Sequence, residues 1–161
     1  MITNRPMQEL LARGTNLTEI YVPSPFQLLV GGGFKDVQGC IFFRELFHHD
    51  ALTSLALHQD MTGYECAVNA IHLEDYLEKG MAREAPALAM TAAKCIDWLV
   101  ERLRRFSSEP FRIIVSVRAR NCTLRFHKVR DGESWLADNL EGYEEAIAVY
   151  DTSPQLERSH V

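Results

Sequence analysis

At 161 residues, with 47% hydrophobic and 24% charged side chains, the chain has the length and composition of one folded domain, which excludes a disordered tract. No apolar run approaches the roughly 18 residues that span a bilayer. The opening MITNRPMQELLARG lacks the continuous apolar stretch of a signal peptide, so a cytoplasmic protein is expected. The net charge of −5 is unevenly laid out: acidic over 1–80, basic over 81–130 and acidic again over 131–161.

Pro6 to Arg13 reads as a short helix with Met7, Leu10 and Leu11 inward and Gly14 as its C-cap. A proline-containing connection follows. Phe26 to Val30 has the length of a strand, and Gly31-Gly32-Gly33 permits a tight reversal into a second strand, Gly39 to Phe47. The triple glycine is not a phosphate loop. It lacks the GxxxxGK[ST] pattern and does not open a helix in the GxGxxG manner, because FKDVQG follows Gly33. His48 to Asp60 is ambiguous between a helical turn over Ala51–Leu57 and a strand over Ser54–His58. Asp60 to Gly63 reads as a turn, Glu65 to Leu73 as a strand by its alternation, and Asp75 to Glu78 as a helical turn ended by Gly80.

The strongest element is Glu84 to Phe106. Leu88, Ala92, Ile96, Leu99, Leu103 and Phe106 recur at steps of three and four, which makes one apolar stripe at helical period. Pro86 suits a first turn, and Arg102, Arg104 and Arg105 suit the negative end of the helix dipole. Such a helix is about 34 Å long and needs a broad partner, so a sheet is expected beneath it. Phe111 to His127 supplies the clearest hairpin, turning at Arg120-Asn121. Its Phe111, Ile113, Val115, Val117, Cys122, Leu124 and Phe126 face is apolar and is expected to meet the helix. The opposite face carries Arg112, Arg118, Arg120, Arg125 and His127. In Asp131 to Glu145, Ser134 is placed to cap a short helix through Trp135, Leu136 and Leu140. Ala146 to Tyr150 reads as a last strand, with a frayed tail from about residue 151. The expected fold is α+β: one domain with a mainly antiparallel sheet of five or six strands and one long helix packed across one face.

The four cysteines, Cys40, Cys66, Cys95 and Cys122, form no CxxC pair and read as buried reduced thiols. His48, His49, Asp50, His58 and Asp60 cluster in sequence but match no metal-binding frame, no serine sits in a GxSxG elbow, and nothing asks for a cofactor. A metal-assisted enzyme built on the His48–Asp60 region is one alternative reading. A nucleic-acid binder using the Arg112–Arg125 face is another, although the pI near 5.7 counts against it. The basic middle is equally able to pair with the acidic end inside one fold. The preferred reading is a non-catalytic binding protein that neutralises or regulates a basic protein partner, in the manner of a toxin-immunity protein. Its contact surface would be Glu133, Trp135, Asp138, Glu141, Tyr143 and Glu144, where aromatic anchors sit among acidic side chains.

Overall fold

The structure is a computed structural model and describes residues 1–48 and 57–152. Its elements, in chain order, are β1 (Ile2–Thr3), α1 (Arg5–Gly14), α2 (Ser24–Gly31), β2 (Phe34–Val37), β3 (Cys40–Phe43), α3 (Met61–Val68), β4 (Ile71–His72), α4 (Ala85–Phe106), β5 (Phe111–Arg118), β6 (Asn121–Lys128) and β7 (Ala146–Asp151). Short 3-10 turns lie at Leu73–Tyr76 and Leu140–Gly142. The fold is α+β. A five-stranded antiparallel sheet has the order β1-β7-β5-β6-β4, and β2 and β3 form a separate two-stranded sheet.

The long helix forms unbroken, with Pro86 in its first turn and Arg104 and Arg105 in its last. Its Leu88, Ala92, Cys95, Ile96, Leu99 and Leu103 are buried against Ile113, Val115, Val117, Leu124 and Phe126 of the sheet. Helical period on one side and strand period on the other thus meet in a single core. The α1 helix crosses α4 closely at Gly14. A Cβ there would collide with Met90 Cγ, so Gly14 serves close approach, while Thr15, in an ordinary right-handed conformation, terminates the helix.

Several elements differ from the sequence-based expectation. Phe26 to Val30 belongs to helix α2 rather than to a strand. A five-residue apolar run does not distinguish the two by itself, but Pro25 stands in the first turn, and Phe26, Leu29 and Val30 are buried while Leu28 is 74% exposed, a helical spacing. The hairpin in this region is therefore β2–β3, turning on Gln38 and Gly39, both at positive φ. The strand within Gly39–Phe47 shrinks to Cys40–Phe43. Glu65 to Leu73 is not a strand: α3 occupies Met61–Val68, opened by Asp60, whose carboxylate accepts from the Gly63 amide at 2.7 Å, and only Ile71–His72 is extended. The helical turn after it comes earlier than Asp75, at Leu73–Tyr76. The main hairpin turns at Ala119-Arg120, one residue before the expected position, with Ala119 at a φ of 54°. No helix of the expected kind forms over Ser134–Leu140, where the Ser134 hydroxyl donates to the Leu136 carbonyl. The last strand runs to Asp151, and the Thr152 hydroxyl accepts from the Phe111 amide. The alternative elements weighed for Ala51–Leu57 and Ser54–His58, and the tail from 153 onward, lie outside the described residues, apart from Leu57 and His58.

Candidate functional site

Two buried side chains, Glu65 of α3 and Asn69 that caps its end, do the work of a missing strand. Glu65 is fully buried. Its Oε1 accepts from the Ile41 amide at 2.6 Å and its Oε2 from the Lys128 amide at 2.8 Å, and Arg130 grips both oxygens at 3.0 and 2.7 Å. Four residues on, Asn69 accepts from the Phe43 amide through Oδ1 and donates through Nδ2 to the carbonyls of Ile41 and Phe126. Residues four apart lie on one helix face, so these two polar side chains satisfy the facing edges of β3 and β6 together. Buried polar groups are tolerated when paired in this way. Phe34, Phe43 and Phe126 pack their rings at 4.9–5.7 Å beside this seam.

On the face of the main sheet away from α4, Ile114, Ile147 and Val149 are buried under Leu136, Leu140 and Tyr143. The acidic 131–145 segment is what covers the arginine face of the hairpin. Asn4, wholly buried, pins it: Nδ2 donates to the carbonyls of Leu140 and Glu145, while Oδ1 accepts from the Met7 and Ile147 amides. Glu133 accepts from the Thr62 amide at 3.0 Å, in the first turn of α3. Glu141 accepts from the Arg5 amide through both oxygens, at 3.0 and 3.2 Å, at the start of α1. Carboxylates are favoured at helix N-termini because the amides there are unpaired and the dipole is positive. Tyr143 lies half-buried, its hydroxyl accepting from the Ala137 amide.

The arginine face is consequently not an open basic surface. Arg112 forks onto Asp151 at 2.7 and 2.8 Å, Arg118 lies 4.0 Å from Glu145, and Arg125 stacks over the Trp135 ring at 4.9 Å. Arg120 remains exposed in the turn. His127, expected among these exposed cations, is 2% exposed. Its Nδ1 stands 2.9 Å from the Lys128 carbonyl, which can only accept, so Nδ1 carries the proton and Nε2 is left without a partner. Burial lowers its pKa.

Of the six residues expected to form the contact surface, Glu133, Glu141 and Tyr143 hold the segment in place, whereas Trp135, Asp138 and Glu144 face solvent, the indole 40% exposed. Sequence reasoning missed Asn4, Glu65, Asn69 and Arg130. The available signals were Asn4 two residues before Pro6, and the four-residue step from Glu65 to Asn69.

The histidine-rich region does not assemble among the described residues. His48 is exposed, His58 stacks on Tyr64 at 5.5 Å and Asp60 caps α3, while His49 and Asp50 lie outside the described residues. No three His, Cys, Asp or Glu side chains among the described residues come together where they could hold a metal ion. All four cysteines are buried and unbridged, and burial raises their thiol pKa values, to about 11 for Cys40 and about 12 for Cys66 and Cys95. Among the described residues no helix is long and apolar enough to cross a membrane.

A family pattern described as "Uncharacterized protein PM0498 family" matches residues 2–160. The chain belongs to the PM0498 family. One relative, "Uncharacterized protein PM0498" of Pasteurella multocida (strain Pm70), is 27% identical over 115 residues. That alignment covers 63% of this chain and 66% of the relative, just under two thirds of its length. No solved structure matches the chain. The PM0498 pattern takes in the Asn4 anchor, the α3 network and the acidic segment alike, since all lie within residues 2–160.

Proposed function

We propose that this member of the PM0498 family is a non-catalytic binding protein that neutralises or regulates a basic protein partner through the solvent side of the 131–145 segment. The observation that carries the reading is Trp135, a large aromatic held 40% exposed on a segment pinned by Asn4, Glu133 and Glu141, with the exposed carboxylates of Asp138 and Glu144 on the same segment. An ordered, exposed indole suits an interface anchor because little conformational freedom is left to lose on binding. Exposed acidic groups around it would raise the rate of encounter with a basic surface. Immunity to a basic toxin, in the cytoplasm, is the role of this kind that fits the charge best.

The test is affinity capture by the full chain, comparing wild type with Trp135→Ala and with Asp138→Lys/Glu144→Lys. Glu141 is left intact because it closes the start of α1. A basic protein retained by wild type should be lost from both variants, and its association rate should fall with added salt. A partner held equally by all three proteins would remove this surface from the proposal.

A further inference from the structure

A second feature of the same face goes beyond the protein-binding reading and does not depend on it. Between the 131–145 segment and the sheet lies a cleft of about 300 Å³. Ile114, Ile147 and Leu136 line its apolar part. Arg125, Ser116 and Tyr143 contribute polar groups, and all three are half-buried.

Arg125 differs from its neighbours on the covered face. Arg112 is forked onto Asp151 and Arg118 faces Glu145, but no described carboxylate pairs with Arg125, and no described acceptor takes a hydrogen bond from it. Its guanidinium carbon lies over the Trp135 ring, a contact that uses none of its N–H donors, and the Glu145 carboxylate acts on it only through space. Burial destabilises this cation, as its lowered pKa reflects. Two more donors share the cleft: the Ser116 hydroxyl makes no hydrogen bond among the described residues, and the Tyr143 hydroxyl accepts from Ala137 and so retains its own proton to give. The carboxylate that lines the cleft, Glu145, stands 4.0 Å from Arg118. The cleft thus gathers three side-chain donors beside a single carboxylate, Glu145, and is apolar at its base.

We infer that the cleft between Trp135 and the β5–β7 sheet is a binding site for a small carboxylate with an apolar body, the carboxylate forked by Arg125 and the body lying on Ile114 and Ile147. Planar two-point recognition of a carboxylate is the geometry at which arginine excels, and the volume lies at the lower end of small-molecule sites.

Calorimetric titration of the full chain with 3-phenylpropionate tests this. Saturable binding of one equivalent with a Kd of about 1 mM or tighter is expected. The amide of the same acid, equal in shape but uncharged, should bind at least about tenfold more weakly, since it lacks the charge-assisted pair. Arg125→Met keeps a stem against Trp135 and removes the donors, and should abolish binding. Absence of saturable binding by the acid, equal binding of acid and amide, or unchanged affinity in a folded Arg125→Met protein would each overturn the site. The acid–amide comparison uses wild type alone, so it decides the matter even if the variant does not fold. Asp138→Lys/Glu144→Lys leaves Arg125 in place and should bind the acid as wild type does, which separates this site from the protein-contact surface. Loss of acid binding in that double variant, with its fold intact, would count against the cleft as an independent site.

Discussion

Arg130 and His127 show how burial sets the importance of single residues. Glu65 has no exposure and accepts four hydrogen bonds from Ile41, Lys128 and Arg130. Arg130→Met would leave that carboxylate buried without its cation, and removing one partner of such a pair typically costs about 3–5 kcal/mol. Urea unfolding should show a loss of that size. Exposed pairs such as Arg5–Glu9 should cost under about 1 kcal/mol when broken. His127 makes a pH prediction. Burial, the largest influence, holds its folded-state pKa below the usual value; Arg112 and Arg130 push the same way, while the Lys128 carbonyl and Glu65 oppose them. The unfolded chain therefore binds the proton more readily than the folded one. The corresponding stability is present above about pH 6.5, the ordinary histidine value, and is lost as pH falls from there toward the folded pKa. Urea midpoints of His127→Phe should fall less than those of wild type between pH 7.5 and pH 5.5, and parallel curves would contradict this account.

At the scale of elements, α3 replaces sheet hydrogen bonding by side-chain hydrogen bonding. Asn69→Ala would strip partners from the Phe43 amide and the Ile41 and Phe126 carbonyls. Each buried group left unsatisfied costs about 1–3 kcal/mol. The amides of β2 and β3 should then exchange faster than those of β5, because the small sheet is joined to the large one partly through this residue. Retained protection in β3 would show that the phenylalanine contacts suffice. The hairpin turn allows a prediction of opposite sign. Ala119 sits at a φ of 54°, a region that disfavours side chains, so Ala119→Gly should raise stability by about 0.5 kcal/mol, net of the added freedom of glycine in the unfolded chain. A lower urea midpoint would contradict it. These elements also mark where reading along the chain succeeds and where it fails. Helix α4 and the β5–β6 hairpin are long and strictly periodic, so their local pattern and their tertiary role agree. In Glu65–Leu73, the buried polar Glu65 and Asn69 reverse the usual association of polar with exposed, and the true helical face is disguised as strand alternation.

Across the whole molecule, the charge layout is partly resolved internally. The acidic segment covers part of the basic hairpin face, while Arg112 is paired with Asp151 of β7 and Arg118 lies near Glu145. A covered face is also a conditional one, since the cover is held by few residues. Asn4→Ala removes the donor to Leu140 and Glu145 and the acceptor for Met7 and Ile147. It should lower stability by about 2 kcal/mol or more and make the 131–145 segment the first site of limited proteolysis. An unchanged cleavage pattern would mean that Glu133, Glu141 and the Leu136–Tyr143 packing hold the cover unaided. The exposure of the acidic segment was not legible in advance for this reason. Trp135, Asp138 and Glu144 face water, while Glu133 and Glu141 are committed to amides of α3 and α1, far away in the chain.

What the residue order determined alone was the long periodic elements. Apolar spacing set the long helix and the hairpin, together with the faces they turn toward each other, because those patterns close within a few residues of themselves. Which polar side chains are free was decided only by the tertiary structure. A carboxylate or guanidinium finds its partner across tens of residues, and until the chain folds back, Glu65, Arg125 and Glu141 are chemically indistinguishable from solvated surface groups.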